Sequence, residues 1–125
     1  MSALPENVSK AWDNHEGPVV FATVDKNGTP NAIYATCVKK INEEKLVVAD
    51  NYFSKTRANI LGGSKGAILF ITKDGKAFQV KGKIDYEKEG EVYDDMKKQL
   101  GPDYPCHATA IVNVEEVYAG ADRLL

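Results

Sequence analysis

The sequence predicts a mainly β domain, a six-stranded antiparallel barrel with peripheral helices, spanning residues 1–125 as one unit. Three observations carry that reading. Runs rich in β-branched and aromatic residues recur along the whole chain, and Asn27-Gly28 and Asp74-Gly75 mark hairpin turns between them. Helical spacing is confined to the start, one internal stretch and a charged segment near the end. Closure is how an antiparallel sheet hides its edges, so the barrel is expected to be nearly complete.

Taken in order, Leu4, Val8 and Trp12 recur at spacing four, with Pro5 and Glu6 in a first turn, and predict a helix that Gly17-Pro18 ends. "PVVFATVD" (18–25) is the first strand, and the second runs from Asn31 to Ile41. Asn42 to Glu44 turn the chain into "KLVVAD" (45–50), the third strand. A helix is expected over 55–63, then "GAILFITK" (66–73) as the fourth strand. The fifth, Ala77 to Tyr86, alternates: Phe78, Val80, Ile84 and Tyr86 share one face, while Gln79, Lys81, Lys83 and Asp85 share the other. Gly82 interrupts the apolar face, which predicts a bend or a close backbone approach. A charged helix at 88–100 buries Val92, Met96 and Leu100, and "CHATAIVNVEEVY" (106–118) is the sixth strand.

Composition narrows the function classes. Hydrophobic residues at 43% and charged residues at 27% are those of an ordinary globular protein. A net charge of −2 argues against nucleic-acid binding, and no apolar run has signal-peptide or membrane-spanning length, so a cytoplasmic address is expected. Cys37 and Cys106 lack zinc-site spacing and are expected as buried or half-buried free thiols. His15 lies in a turn, and His107 is expected to be a buried, satisfied histidine. Cys106 and His107 are adjacent and would point to opposite strand faces, so no metal site is expected. No Walker A loop or GxGxxG motif opens a helix, which argues against nucleotide hydrolysis.

The stretch "NYFSKTRANIL" (51–61) is electrostatically odd. Lys55 and Arg57 stand at the positive end of a helix, where each exposed cation costs about 0.3–1 kcal/mol. A bound anion would turn them into charge-assisted donors beside the hydroxyls of Ser54 and Thr56. The alternative is a solvated first turn whose long side chains swing away.

In this order of strands, the chain resembles the FMN-binding split-barrel family related to pyridoxamine 5'-phosphate oxidase, specifically its short members. The resemblance is carried by "PNAIYATCVKKI", "KLVVAD", the Lys-Thr-x-x-Asn-Ile pattern at 55–60 and "GAILFITKDGKAFQVKGKI". It implies an FMN phosphate at the helix start, neutralised by Lys55 and bonded by Ser54 and Thr56, with Asn59 bracing the turn. It implies that the ribityl chain and isoalloxazine lie along Ala32, Ile33, Tyr34 and Ala35 and along Ala49, Asp50 and Asn51, with Gln79 reaching toward the cofactor. It further implies a homodimer with the flavin at the interface.

The chain departs from full-length pyridoxamine 5'-phosphate oxidases at its end, "YAGADRLL", where no arginine- and histidine-bearing segment stands to grip a vitamin B6 substrate. No catalytic base is identified, but a flavin carries its own redox chemistry. The expected function is therefore an FMN-dependent oxidoreductase acting on a small molecule, or an electron carrier serving a redox partner protein. Two alternatives stay open: a haem or deazaflavin module at the same interface, with His15 or His107 as a haem ligand, and a structural or regulatory dimer.

Overall fold

The computed structural model describes residues 2–125 and consists of one curled antiparallel sheet with three helices. Helix α1 (Glu6–Asp13) precedes β1 (Val19–Val24), β2 (Pro30–Ala35), β3 (Val38–Asn42) and β4 (Lys45–Asp50). Helix α2 (Lys55–Leu61) leads to β5 (Gly66–Ile71) and β6 (Ala77–Glu87). Helix α3 (Glu91–Leu100), a short 3₁₀ turn, β7 (Ala108–Ala119) and the two-residue β8 (Asp122–Arg123) complete the chain. No helix among the described residues is long and apolar enough to cross a membrane.

The hairpin turns form where glycine permits them. Gly28 and Gly75 both take positive φ (83°), and the Asp25 carboxylate holds the first turn by accepting from the N–H groups of Asn27 and Thr29. The concave side of the sheet encloses the core. Phe21, Leu46, Ile68, Val80, Val112 and Val117 are each 0% exposed. Helix α1, with Val8 and Trp12, and Leu4 just before it plug one end of this core, and Trp12 meets Phe70 edge-on at 5.1 Å. Each such side chain contributes about 1.5–3 kcal/mol on burial, so its spacing of four in the sequence is the signature of a working core face. Helix α3 covers the convex side of β4 and β7, where Met96 joins Val47, Ala49, Cys106 and Ile111.

The sheet order is β2-β1-β5-β6-β7-β4-β3, with β8 added beside β7. The single strand expected at 31–41 is two strands at opposite ends of this order. Ala35 still pairs with Val19 of β1, whereas the carbonyl of Cys37 accepts from the N–H of Ala49 in β4. The chain changes partner at a bend across Thr36-Cys37, where no glycine or proline stands, so composition does not mark the break. Together with β8 this gives eight strands where six were expected. It also corrects the expectation of a nearly complete barrel: no ladder joins β2 to β3, and a seam remains between them.

The bend that curls the sheet lies at Gly82. Lys81 pairs with Glu116 and Gly82 with Val114, which leaves Glu115 as the extra residue of a bulge. A Cβ at Gly82 would sit 1.6 Å from the Asn113 carbonyl oxygen. Gly82→Ala must therefore push two backbones apart, and it is expected to lower stability by about 3 kcal/mol or more. Urea unfolding measures this, and a midpoint within error of wild type would refute the close approach.

Candidate functional site

The site is assembled around the end of β4. Asp50 is 0% exposed, and its carboxylate is fully engaged. Arg57 meets it with two parallel bonds, Nε to Oδ2 at 2.7 Å and Nη2 to Oδ1 at 2.9 Å. The Tyr86 hydroxyl donates to Oδ2, and the Phe53 N–H donates to Oδ1 at 3.0 Å. The Asp50 carbonyl accepts from His107 N–H at 2.8 Å, so this residue spends its polar groups within the protein. Burial pushes the Asp50 carboxyl up, but the bonds from Arg57, Tyr86 and Phe53 outweigh it and hold the pKa below the usual value. The bonds to Asp50 and Tyr86 push the Arg57 guanidinium up, and burial followed by the bond to Asp50 raises the Tyr86 phenol.

This pairing separates the two cations that share the helix start. Arg57 reaches back across the first turn to a buried acid. Lys55, the first residue of α2, is exposed and makes no ion pair among the described residues. No acidic residue lies in that turn, and Ser54, at the cap position and exposed, makes no capping bond. The first N–H groups of α2 therefore lack a side-chain acceptor. Beneath them, Thr56 is turned inward at 1% exposure, and its Oγ1 accepts from Asn31 Nδ2 at 3.0 Å. Asn59, 8% exposed, donates from Nδ2 to Thr23 Oγ1 at 3.0 Å. These two bonds tie α2 to β2 and β1.

Along the seam runs a cleft of about 290 Å³, with Tyr34, Cys37, Ala49, Asn51, Tyr52 and Tyr104 among its lining residues. Tyr34 and Tyr52 are each 77% exposed and Tyr104 is 41% exposed, large for aromatic rings that stack on no other ring among the described residues. The backbone wall of this cleft is a free sheet edge. Val24 N–H donates to Ser64 on the β5 side, while Asp25 N–H donates to Thr29 on the β2 side. By alternation, Thr23, Phe21 and Val19 bond to Asn31, Ile33 and Ala35, which leaves the amides of Ala32 and Tyr34 pointing outward. Asn51 is 8% exposed and its Oδ1 accepts from Cys106 N–H at 3.1 Å. A larger hollow of about 410 Å³, between Val24–Asn27 and Gly62–Ser64, lies at the negative end of α2 and suits no phosphate.

Gln79 lies elsewhere. Tyr34 faces Val20, Val20 faces Leu69, Leu69 faces Gln79, and Gln79 faces Tyr118, one row across the convex face. Strand spacing puts Gln79 about 14 Å from Tyr34, beyond the reach of one side chain. One histidine also differs from expectation. His107 is exposed, not buried, because Cys106 takes the inward position beside it. Cys106 does so at φ 40°, the only non-glycine in the left-handed region among the described residues, at a cost of about 1–2 kcal/mol. His15 is half-buried, with Nδ1 2.6 Å from the Trp12 carbonyl oxygen.

The family described as Pyridoxamine 5'-phosphate oxidase matches residues 5–120. The chain belongs to the pyridoxamine 5'-phosphate oxidase family. It is 32% identical over 121 residues to an uncharacterized protein of Methanocaldococcus jannaschii, covering 92% of this chain and 79% of that one. Among solved structures, it resembles HupZ of Group A Streptococcus with a TM-score of 0.81 at 22% identity, covering 93% of each chain. An FMN-binding protein from Syntrophomonas wolfei subsp. wolfei has a TM-score of 0.72 at 21% identity, covering 80% of this chain and 74% of that one. These structural likenesses establish the pyridoxamine 5'-phosphate oxidase-like split-barrel fold.

Several residues of this region escaped the sequence reading. Asn31 and Thr23 were invisible as helix anchors because both partners of each bond come from distant segments. Tyr52 stood inside the odd stretch itself, where its aromatic character was the available signal.

The ionisable network makes stability depend on pH at both ends of the range. Asp50 has a folded pKa below its unfolded value, so its stabilisation is complete above about pH 4 and is lost as pH falls through the lower folded value. Tyr86 has a raised folded pKa, so its contribution holds below about pH 10 and is lost as pH rises through the folded value. Arg57→Met leaves a buried carboxylate without its cation and is expected to cost about 3–5 kcal/mol at neutral pH. That variant should also lose the acid dependence attributable to Asp50. Denaturant titrations between neutral and acid pH check both points, and parallel curves for variant and wild type would contradict them.

Proposed function

We propose that this protein is a homodimeric FMN-binding redox protein. The observation that carries the reading is the seam: a cleft edged by free β2 amides and three exposed tyrosines, adjoining a helix start with an unpaired lysine. In this reading Lys55 and Ser54 bind the FMN phosphate together with the first N–H groups of α2. Thr56 and Asn59 stiffen that turn from below, through Asn31 and Thr23. The outward amides of Ala32 and Tyr34 meet the polar edge of the isoalloxazine, while Ile33, Ala35, Ala49 and Asn51 shape the cleft. Asp50 contributes by anchoring Arg57 and not by touching the ligand. The flavin supplies the redox chemistry when bound; the chain positions it and limits its contact with water.

The same geometry supports dimerisation. Gln79 is too far from the cleft of its own chain, so it serves a flavin only if a second copy brings it there. The convex face between them exposes Leu69 (43%) and Ile71 (46%) beside Val20 and Tyr34, apolar surface suited to such an interface. The reading covers a small oxidoreductase and an electron carrier. Steady-state turnover with NAD(P)H marks the first, and flavin that is reduced and reoxidised only through a protein partner marks the second.

The visible spectrum of the purified protein is the first test. Flavin bands that stay with the protein after FMN addition and removal of unbound FMN by gel filtration support the proposal, a Soret band would point instead to haem with the exposed His107 as a candidate ligand, and a featureless spectrum would overturn both. Lys55→Ala removes one charge-assisted contact, worth about 1.5–3 kcal/mol, so FMN should bind at least roughly tenfold more weakly. Riboflavin affinity should stay unchanged because riboflavin has no phosphate. Equal losses for both ligands, measured by fluorescence quenching, would remove the phosphate assignment, and a monomer by light scattering would remove the role of Gln79.

A further inference from the structure

In the proposed dimer Gln79 reaches the flavin only from a second copy, and that requirement fixes how two copies pack. Tyr34, Val20, Leu69 and Gln79 form one row over four neighbouring strands of the convex face. Two such faces meet with their strands roughly aligned, about a two-fold axis lying between the sheets. In projection, this axis reflects one face onto the other. Only an axis parallel to the strands and midway between β1 and β5 lays Gln79 of the second copy over Tyr34. It also lays Leu69 of the second copy over Val20. One row along the strands, Ala32 pairs with Ala22, Ala22 with Ala67, and Ala67 with Lys81. The axis therefore sets Ala67 of the second copy over Ala22, a pair small enough for close approach. It sets Lys81 of the second copy over Ala32.

Lys81 is half-buried, and its Nζ rests 5.0 Å from the centre of the Tyr118 ring. It makes no ion pair among the described residues. Glu116, which it faces across the ladder, is already engaged: it accepts from the Tyr118 hydroxyl at 2.5 Å and lies 3.8 Å from Arg123. The row that Lys81 meets on the other copy offers Ala32 and Ala22 and no acid, so apolar contact alone would bury an unanswered cation. The outward amide of Ala32 is where the polar edge of the isoalloxazine is held. We propose that Lys81 of the second copy stands over that edge and sets the reduction potential of the flavin; the inference rests on the FMN-binding dimer of the proposed function. Two electrons and one proton taken up by the ring leave a negative charge on its polar edge. An ammonium held beside that charge favours the reduced form. Lys81 thus acts on the equilibrium of reduction and not on a bond-making step.

The first measurement needs no cofactor. A chain carrying Cys37→Ser, Ala32→Cys and Lys81→Cys is treated with a bismaleimide that spans about 10 Å, one inter-sheet spacing. It should run as a covalent dimer on a denaturing gel, whereas Ala32→Cys or Lys81→Cys alone in the same background should stay monomeric. The second measurement is a dye-equilibrated reductive titration of the FMN-loaded dimer. Lys81→Met should lower the equilibrium constant for two-electron reduction about tenfold, a midpoint about 30 mV more negative. Lys81→Arg should keep the wild-type midpoint, and Lys81→Gln replaces the methionine variant if that dimer weakens, with the same shift expected. FMN affinity and light scattering are recorded for each variant. An unchanged midpoint in a neutral variant that binds FMN as a dimer, or a dimer that does not cross-link, overturns the inference and leaves FMN binding standing. Wild type that binds no FMN, or stays monomeric, removes the underlying reading and this inference with it.

Discussion

The bidentate pair between Arg57 and the buried Asp50 is the constraint on which the site depends. It joins the end of β4 to the first turn of α2, and Tyr86 brings β6 into the same contact. A carboxylate at 0% exposure is tolerable only when its bonds are complete, and here they come from a cation, a phenol and a backbone N–H. Removing any one donor leaves an expensive charge behind. The network therefore holds the turn 51–57 in one conformation, and that turn forms one wall of the seam.

The seam itself results from a change of partner by one extended segment. Residues 30–42 start on β1 and finish on β4, so the sheet curls until its two ends are linked by chain but not by a ladder. The bulge at Gly82 supplies the curvature, because only a residue without Cβ fits against the Asn113 carbonyl. An open ladder leaves the amides of Ala32 and Tyr34 unpaired. In an ordinary sheet such an edge invites aggregation, whereas here it faces a cleft walled by aromatic rings. The fold thus places directional backbone donors and acceptors next to flat apolar surface, the combination a planar heterocycle requires.

The two cations at the start of α2 illustrate how similar residues acquire different work. Both violate the dipole rule equally in the sequence. Arg57, with a planar fork matched to a carboxylate, closes on Asp50, and Lys55 remains facing solvent beside uncapped N–H groups. The second stands where an external anion can reach it, without a partner among the described residues to compete.

Much of the fold was legible in the residues alone. Spacing four in Leu4, Val8 and Trp12 marked α1, glycine turns marked two hairpins, and alternation in β6 marked its inner face; each is a local signal repeated within one element. The anomaly at 51–61 pointed to the candidate site, because an uncompensated charge is a local signal too. The tertiary structure decided what no local signal carries: that residues 31–41 change partner at Thr36-Cys37, that Asp50 answers Arg57, that Gln79 sits across the sheet from Tyr34, and that His107 faces outward. Each of those depends on which strands become neighbours when the sheet curls, and pairing between distant segments is set by the whole chain and not by any stretch of it.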